Sequence, residues 1–140
     1  MSKSKRVWSI SSKDRKRSIV IPEEVKDELN QKASQIIEDK FKPYRLELDK
    51  GMKEKGFNYV VDIYTKWWRN YFYFCCKYHC PSPRAISEYF DDPFTRMEYV
   101  GDGRFNLSYM RHTGQWWQVY TGLTIKEALK TIKEEIIFWP

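Results

Sequence analysis

The chain contains no apolar run approaching the roughly 20 residues that a membrane-spanning helix needs. Its basic N-terminus is followed by none of the apolar stretch that marks a secretory leader. Its three cysteines, Cys75, Cys76 and Cys80, are odd in number and crowded into one short segment, which excludes a disulfide framework and fits a reducing interior. The expectation is a cytoplasmic protein without membrane association. Also missing are an internal repeat, a phosphate-cradling Gly-rich loop, a paired-carboxylate signature and a nucleophile elbow.

Charge excess is missing as well, except at one end. The 140 residues carry a formal charge of +6, but Lys3, Lys5, Arg6, Lys13, Arg15, Lys16 and Arg17 stand against Asp14 alone in residues 1–18. The other 122 residues hold 18 cations and 18 anions, so the basic character belongs to an N-terminal arm and not to the body. The arm is Ser/Lys/Arg-rich, with Val7 and Trp8 as isolated apolar residues, and buries too little to offset its ordering entropy. It is expected to be flexible when free, either as a solvated tail or as a phosphate-binding extension whose affinity fades steeply with salt. Residues 19–140 are expected to form one domain around one core.

What is abundant is apolar and aromatic surface, 41% and 17% of residues, enough to argue against wholesale disorder. Pro22, followed by Glu23 and Glu24, opens a helix. Val25, Leu29, Ala33, Ile36, Ile37 and Phe41 form its apolar stripe, and Pro43 ends it. Residues 44–56 read as a short extended piece and a loop. From Phe57 the period becomes two, giving a hairpin that turns at Arg69-Asn70 and runs on to Cys80. Residues 81–93 read as a long connection with a helical turn around Ala85 to Phe90. Three strands follow at about 94–100, 104–111 and 115–120, separated by "GDG" and "HTG" turns. Thr124 and Glu127 then cap a helix whose stripe is Ile125, Ala128, Leu129, Ile132 and Ile136. The predicted fold class is α+β: a five-stranded antiparallel β-meander with an N-terminal and a C-terminal helix packed on one face.

Alternation divides the strands into two sets. The core set is Tyr59, Val61, Ile63, Phe72, Phe74, Cys76, Met97, Tyr99, Phe105, Leu107, Tyr109, Trp117 and Val119. The outward set is Asp62, Tyr64, Lys66, Trp68, Tyr73, Cys75, Lys77, His79, Arg96, Glu98, Arg104, Asn106, Ser108, Met110, His112, Trp116, Gln118 and Tyr120. Aromatic rings interleaved with cations suit unpaired bases, at about 1–3 kcal/mol per stacked base. They suit a protein partner equally, and cross-strand pairing of large residues is the purely structural alternative. The function expected is a non-enzymatic binding module for single-stranded nucleic acid or a protein. Its candidate contacts are Tyr64, Trp68, Tyr73, Lys77, Arg96, Arg104, Arg111, His112 and Trp116, with the basic arm adding electrostatic reach.

Two motifs offer chemistry instead. "CCKYHC" (residues 75–80) suggests a metal, but alternation sends Cys76 and Cys80 to one strand face and Cys75 and His79 to the other, so core cysteines and no metal or other cofactor are expected. His112 would serve a small enzyme as general base, oriented by Asp62 or Glu98 and placed near Ser108, only if strand order brings them close. The alternative is that His112, Thr113 and Gly114 simply form the turn.

The string "RMEYVGDGRFNLSYMRHTGQWWQVY" (residues 96–120), the Leu-x-x-x-Glu-Ala-Leu pattern of the following helix and the closing Phe138-Trp139 give the chain a family likeness. From about residue 57 to 140 it resembles small bacterial proteins grouped as domain of unknown function 3024. That resemblance implies a single-domain bacterial or phage-like cytoplasmic protein. It carries over no catalytic residue and no cofactor, and it leaves the basic arm outside the shared pattern.

Overall fold

Acidic, amide and basic side chains surround the apolar stripe of the first helix, and the stripe decides how the helix runs. The structure, a computed structural model, describes residues 19–140; the arm residues Lys3 to Arg17 lie outside it. Helix α1 (Glu23–Ile36) buries Leu29, Ala33 and Ile36. Steps of four residues drift by about 40° per step around an α-helix. A wider π turn over Ile37–Phe41 takes up that drift, and both Ile37 and Phe41 stay in the core. The turn also answers the proline. The Lys42 N–H bonds back to the Ile37 carbonyl, so Pro43 stands in the first turn of a new segment, α2 (Lys42–Leu48), where its missing N–H costs nothing. The chain therefore stays helical past Pro43, against the expectation of an extended piece from residue 44.

Five strands follow: β1 (Tyr59–Trp68), β2 (Tyr71–His79), β3 (Tyr89–Gly101), β4 (Arg104–Met110) and β5 (Trp116–Thr124). They pair in chain order and antiparallel throughout, forming an open meander whose edges are β1 and β5. The β3–β4 turn is Asp102-Gly103, with φ of 53° and 68°, the left-handed pair that matches the twist of a tight hairpin. Strand β3 begins five residues before the expected start, and no helical turn occupies residues 85–90. Pro93 argues against a strand by sequence. The chain tolerates it at a bulge, where pairing steps from Phe74–Thr95 to Cys75–Pro93 and Phe94 is extra.

Helix α3 (Ile125–Glu134) starts at the expected capping box. The Thr124 Oγ1 accepts from the Glu127 N–H at 3.2 Å, and the Glu127 carboxylate accepts from the Thr124 N–H at 2.9 Å. The Thr124 N–H and then its hydroxyl, both facing the carboxylate, hold the Glu127 carboxyl below its ordinary range. The apolar stripe stops at Ile132. Ile136 is 63% exposed in a 3₁₀ turn (Ile136–Phe138), and that turn buries Phe138 in its place. Both helical ends of the chain meet there: the Trp139 ring lies 5.2 Å from Phe41 and 5.1 Å from Tyr44, and its Nε1 donates to the Ile132 carbonyl. One core joins the helices to a single face of the sheet, through Phe41, Phe72, Phe74, Met97, Phe105 and Phe138 among others. Among the described residues no helix is long and apolar enough to cross a membrane.

Bulges alter the two faces where alternation alone placed them wrongly. In β1, Val61 is extra, so Val60 packs on the core, Val61 is 45% exposed, and Tyr59 turns outward onto His79 at 5.3 Å. Strand β5 carries two extra residues opposite β4, one on each side of Tyr120. Tyr120 packs toward Phe138, while Val119 and Trp117, both expected in the core, are 37% and 51% exposed. Cys75 and Ser108, expected outward, are buried.

Candidate binding face of the sheet

The face away from the helices is organised by one cross-strand row. Pairing places Lys66 beside Tyr73, Tyr73 beside Arg96, Arg96 beside Ser108, and Ser108 beside Gln118. The neighbouring outward row is Trp68, Tyr71, Glu98 and Asn106. Small side chains at Cys75 and Ser108 leave room for large ones to lean across them, which is why both are buried on the solvent side of the sheet.

Arg96 is the centre of this surface. Its guanidinium carbon lies 4.6 Å from the Tyr71 ring and 4.7 Å from the Trp116 ring, so the cation is stacked on both. Tyr73 closes the cluster, 5.9 Å from Tyr71 and 5.8 Å from Trp116, with the Lys66 ammonium 6.0 Å from its ring. No carboxylate lies within ion-pair distance of Arg96 among the described residues. Its Nε is buried and has no acceptor. The nearest acid along its strand, Glu98, accepts from Asn106 at 3.4 Å instead.

Of the residues expected on this face, the structure thus brings together Tyr73, Arg96 and Trp116. Tyr71, which shares their parity and was not singled out by sequence, is the missing fourth. Trp68 stands at the β1–β2 turn, 53% exposed, under the Arg69 guanidinium at 4.6 Å. A second cluster forms toward the other end of β2. There the Tyr64 hydroxyl donates to Asp91 at 2.9 Å, and the Lys77 ammonium lies 4.9 Å from the Tyr89 ring. Burial and the Asp91 hydrogen bond push the Tyr64 phenol well above its ordinary range.

The remaining expected contacts are engaged elsewhere. Arg104 donates to the Gly122 carbonyl at 3.1 Å and lies 3.8 Å from Glu127, securing the end of β5. Arg111 stacks on Trp117 at 4.6 Å beside the β4–β5 turn. His112 is exposed in that turn, which the Gly114 N–H closes on the Arg111 carbonyl. The groups of an acid–base site do not converge. Asp62 lies on the far edge strand with Lys42 at 3.7 Å. Glu98 pairs with Asn106, six residues before His112, about 20 Å away by strand rise. Ser108 is buried. Cys75 and Cys76 lie on opposite faces of β2, and burial raises both thiols, that of Cys76 to about 12.

No curated protein and no solved structure matches the chain. A family match does exist, and it is wider than the segment from residue 57 onward that carries the resemblance in the sequence. It takes in α1, the π turn and α2 as well as the sheet and α3, and so spans all the described residues except the first two. The chain belongs to the family described as Domain of unknown function (DUF3024), which it matches over residues 21–140.

Proposed function

We propose that the outward sheet face is a binding surface centred on Arg96, and that its ligand is single-stranded nucleic acid. The observation that carries this reading is the Arg96 guanidinium, stacked between Tyr71 and Trp116 and neutralised by no carboxylate among the described residues. A cation desolvated by two rings gains from an anion that can meet its remaining donors, and a phosphate fits the guanidinium fork. Tyr73 and Trp68 offer nearby ring faces on which bases stack without regard to sequence, and Lys66 adds a second cation. The face assigns no bond-making chemistry to any of these groups; the reading is a binding module and not an enzyme.

A protein partner is favoured by a different observation: Asp62, Asp91 and Glu98 share the face with the cations, and a polyanion would be repelled there. Anisotropy titration with labelled single-stranded DNA and RNA separates the two. Three forms of the full chain are compared at low and at physiological salt: wild type, Arg96→Gln, and a variant with the seven arm cations changed to Gln. Binding that survives arm neutralisation and salt but falls on Arg96→Gln supports the nucleic-acid reading. Binding that disappears with the arm or with salt overturns it and leaves a protein ligand for this face.

A further inference from the structure

The opposite side of the molecule carries a second surface, independent of Arg96. Between α1 and α3 runs a groove of about 580 Å³, within the size range of ligand clefts. Its floor includes Ile36 and Leu129, and the amides of Gln31 and Gln35 stand on the α1 wall. The α3 wall presents Lys126, Lys130 and Lys133, spaced four and three residues apart and therefore stacked along one helix face. None of the three has an ion-pair partner among the described residues, whereas Lys32 across the groove is held by Glu28 at 2.7 Å. Among the described residues Glu134 is the one carboxylate on the rim.

We infer that this groove docks an acidic amphipathic segment of a protein partner. Charge complementarity selects the occupant: a helix whose carboxylates recur at the same spacing would meet the three lysines in register, and its apolar residues would rest chiefly on the lysine stems above the nearly buried Ile36 and Leu129. The Gln31 amide can hydrogen-bond to peptide or carboxylate groups on the other side, whereas the Gln35 amide already donates to Asp39 at 2.9 Å. A nucleic-acid backbone would use the lysines but leave the apolar floor idle, and it has no counterpart for the helical register of the three charges.

The test is an anisotropy titration of the full chain with a fluorescein-labelled helical peptide bearing Leu on one face and Glu on the other. Controls are the same peptide with Leu changed to Ser, the same peptide with Glu changed to Gln, and oligodeoxythymidylate as competitor. The three lysines are exposed, so Lys126→Gln, Lys130→Gln and Lys133→Gln combined leave the fold intact, which circular dichroism confirms. The expected result is saturable binding that weakens at least about tenfold in the triple variant and with either altered peptide, and is unchanged by Arg96→Gln. Absence of binding, indifference to the triple substitution, or equal binding of the Ser-face peptide overturns the proposal. Displacement by oligodeoxythymidylate that depends on the three lysines and not on Arg96 also overturns it and assigns the groove to nucleic acid.

Discussion

The Thr95 hydroxyl donates to the Phe138 carbonyl at 2.9 Å, a buried bond that fastens the middle of the sheet to the 3₁₀ turn after α3. Thr95 is fully buried, and its partner sits in the turn that fills the core with Phe138. Thr95→Val keeps the shape and leaves a carbonyl without a donor, so it is expected to cost about 1–3 kcal/mol. Thr131→Val removes a similar bond to the Glu127 carbonyl at an exposed position and should cost much less. Urea unfolding of both variants checks this. Equal losses would show that the Thr95 bond does not fasten the turn.

Trp117 sets up the second expectation. It stands opposite Tyr109 but is 51% exposed, because β5 is an edge strand with no neighbour on its outer side. Trp117→Ala is therefore expected to cost about 1 kcal/mol. Phe74→Ala, fully buried in the middle of the core, should cost about 3–5 kcal/mol. Thermal and denaturant unfolding of the pair decides it; a Trp117 loss as large as that of Phe74 would put Trp117 in the core after all.

The contrast between Trp117 and Phe74 shows how far the sequence can be read. Alternation placed Phe72, Phe74, Met97, Phe105 and Leu107 correctly because β2, β3 and β4 are regular over those residues. The meander, the hairpin turns and the Thr124 capping box were equally legible, since each rests on local spacing. Bulges are not local in that sense. An extra residue in one strand is defined by its partner, and a single sequence carries no pairing register. That is why Val61, Val119 and Tyr120 were assigned to the wrong face. The same limit holds for the binding face. The parity that grouped Tyr73, Arg96 and Trp116 on one surface was readable, but which rings stack on the guanidinium depends on register, and so Tyr71 was passed over.

Asn106 is the third test, because it fixes one of those bulges. Its Oδ1 accepts from the Gly122 N–H at 3.1 Å, where the backbone takes a φ of 66°, and its Nδ2 reaches Glu98. Asn106→Ala frees the Gly122 amide and is expected to cost about 1–2 kcal/mol. Native-state hydrogen exchange should show faster exchange at Gly122 to Thr124 with the β1–β2 hairpin unchanged. Uniform acceleration across the sheet would mean that the side chain supports global stability and not the local register.

Alkaline pH supplies the last expectation. Burial raises the thiols of Cys75 and Cys76 and the phenol of Tyr78, and burial with the Asp91 hydrogen bond raises that of Tyr64. For Cys76 the folded value is about 12 against an ordinary 9.0. Between those two values the folded chain keeps a proton that the unfolded chain has lost. Unfolding then releases protons, and stability falls as pH rises. The contribution is fully present below the unfolded value and is lost progressively as pH climbs through the window toward the folded one. The melting temperature should therefore hold steady near neutrality and decline from about pH 9 upward. Cys76→Ala removes one of the titrating groups, so its decline should be shallower than that of the wild-type chain even if its melting temperature at neutral pH is lower. Calorimetry across this pH range reads the slope directly. A slope unchanged by Cys76→Ala would mean that the thiol of Cys76 ionises as readily in the folded chain as in the unfolded one.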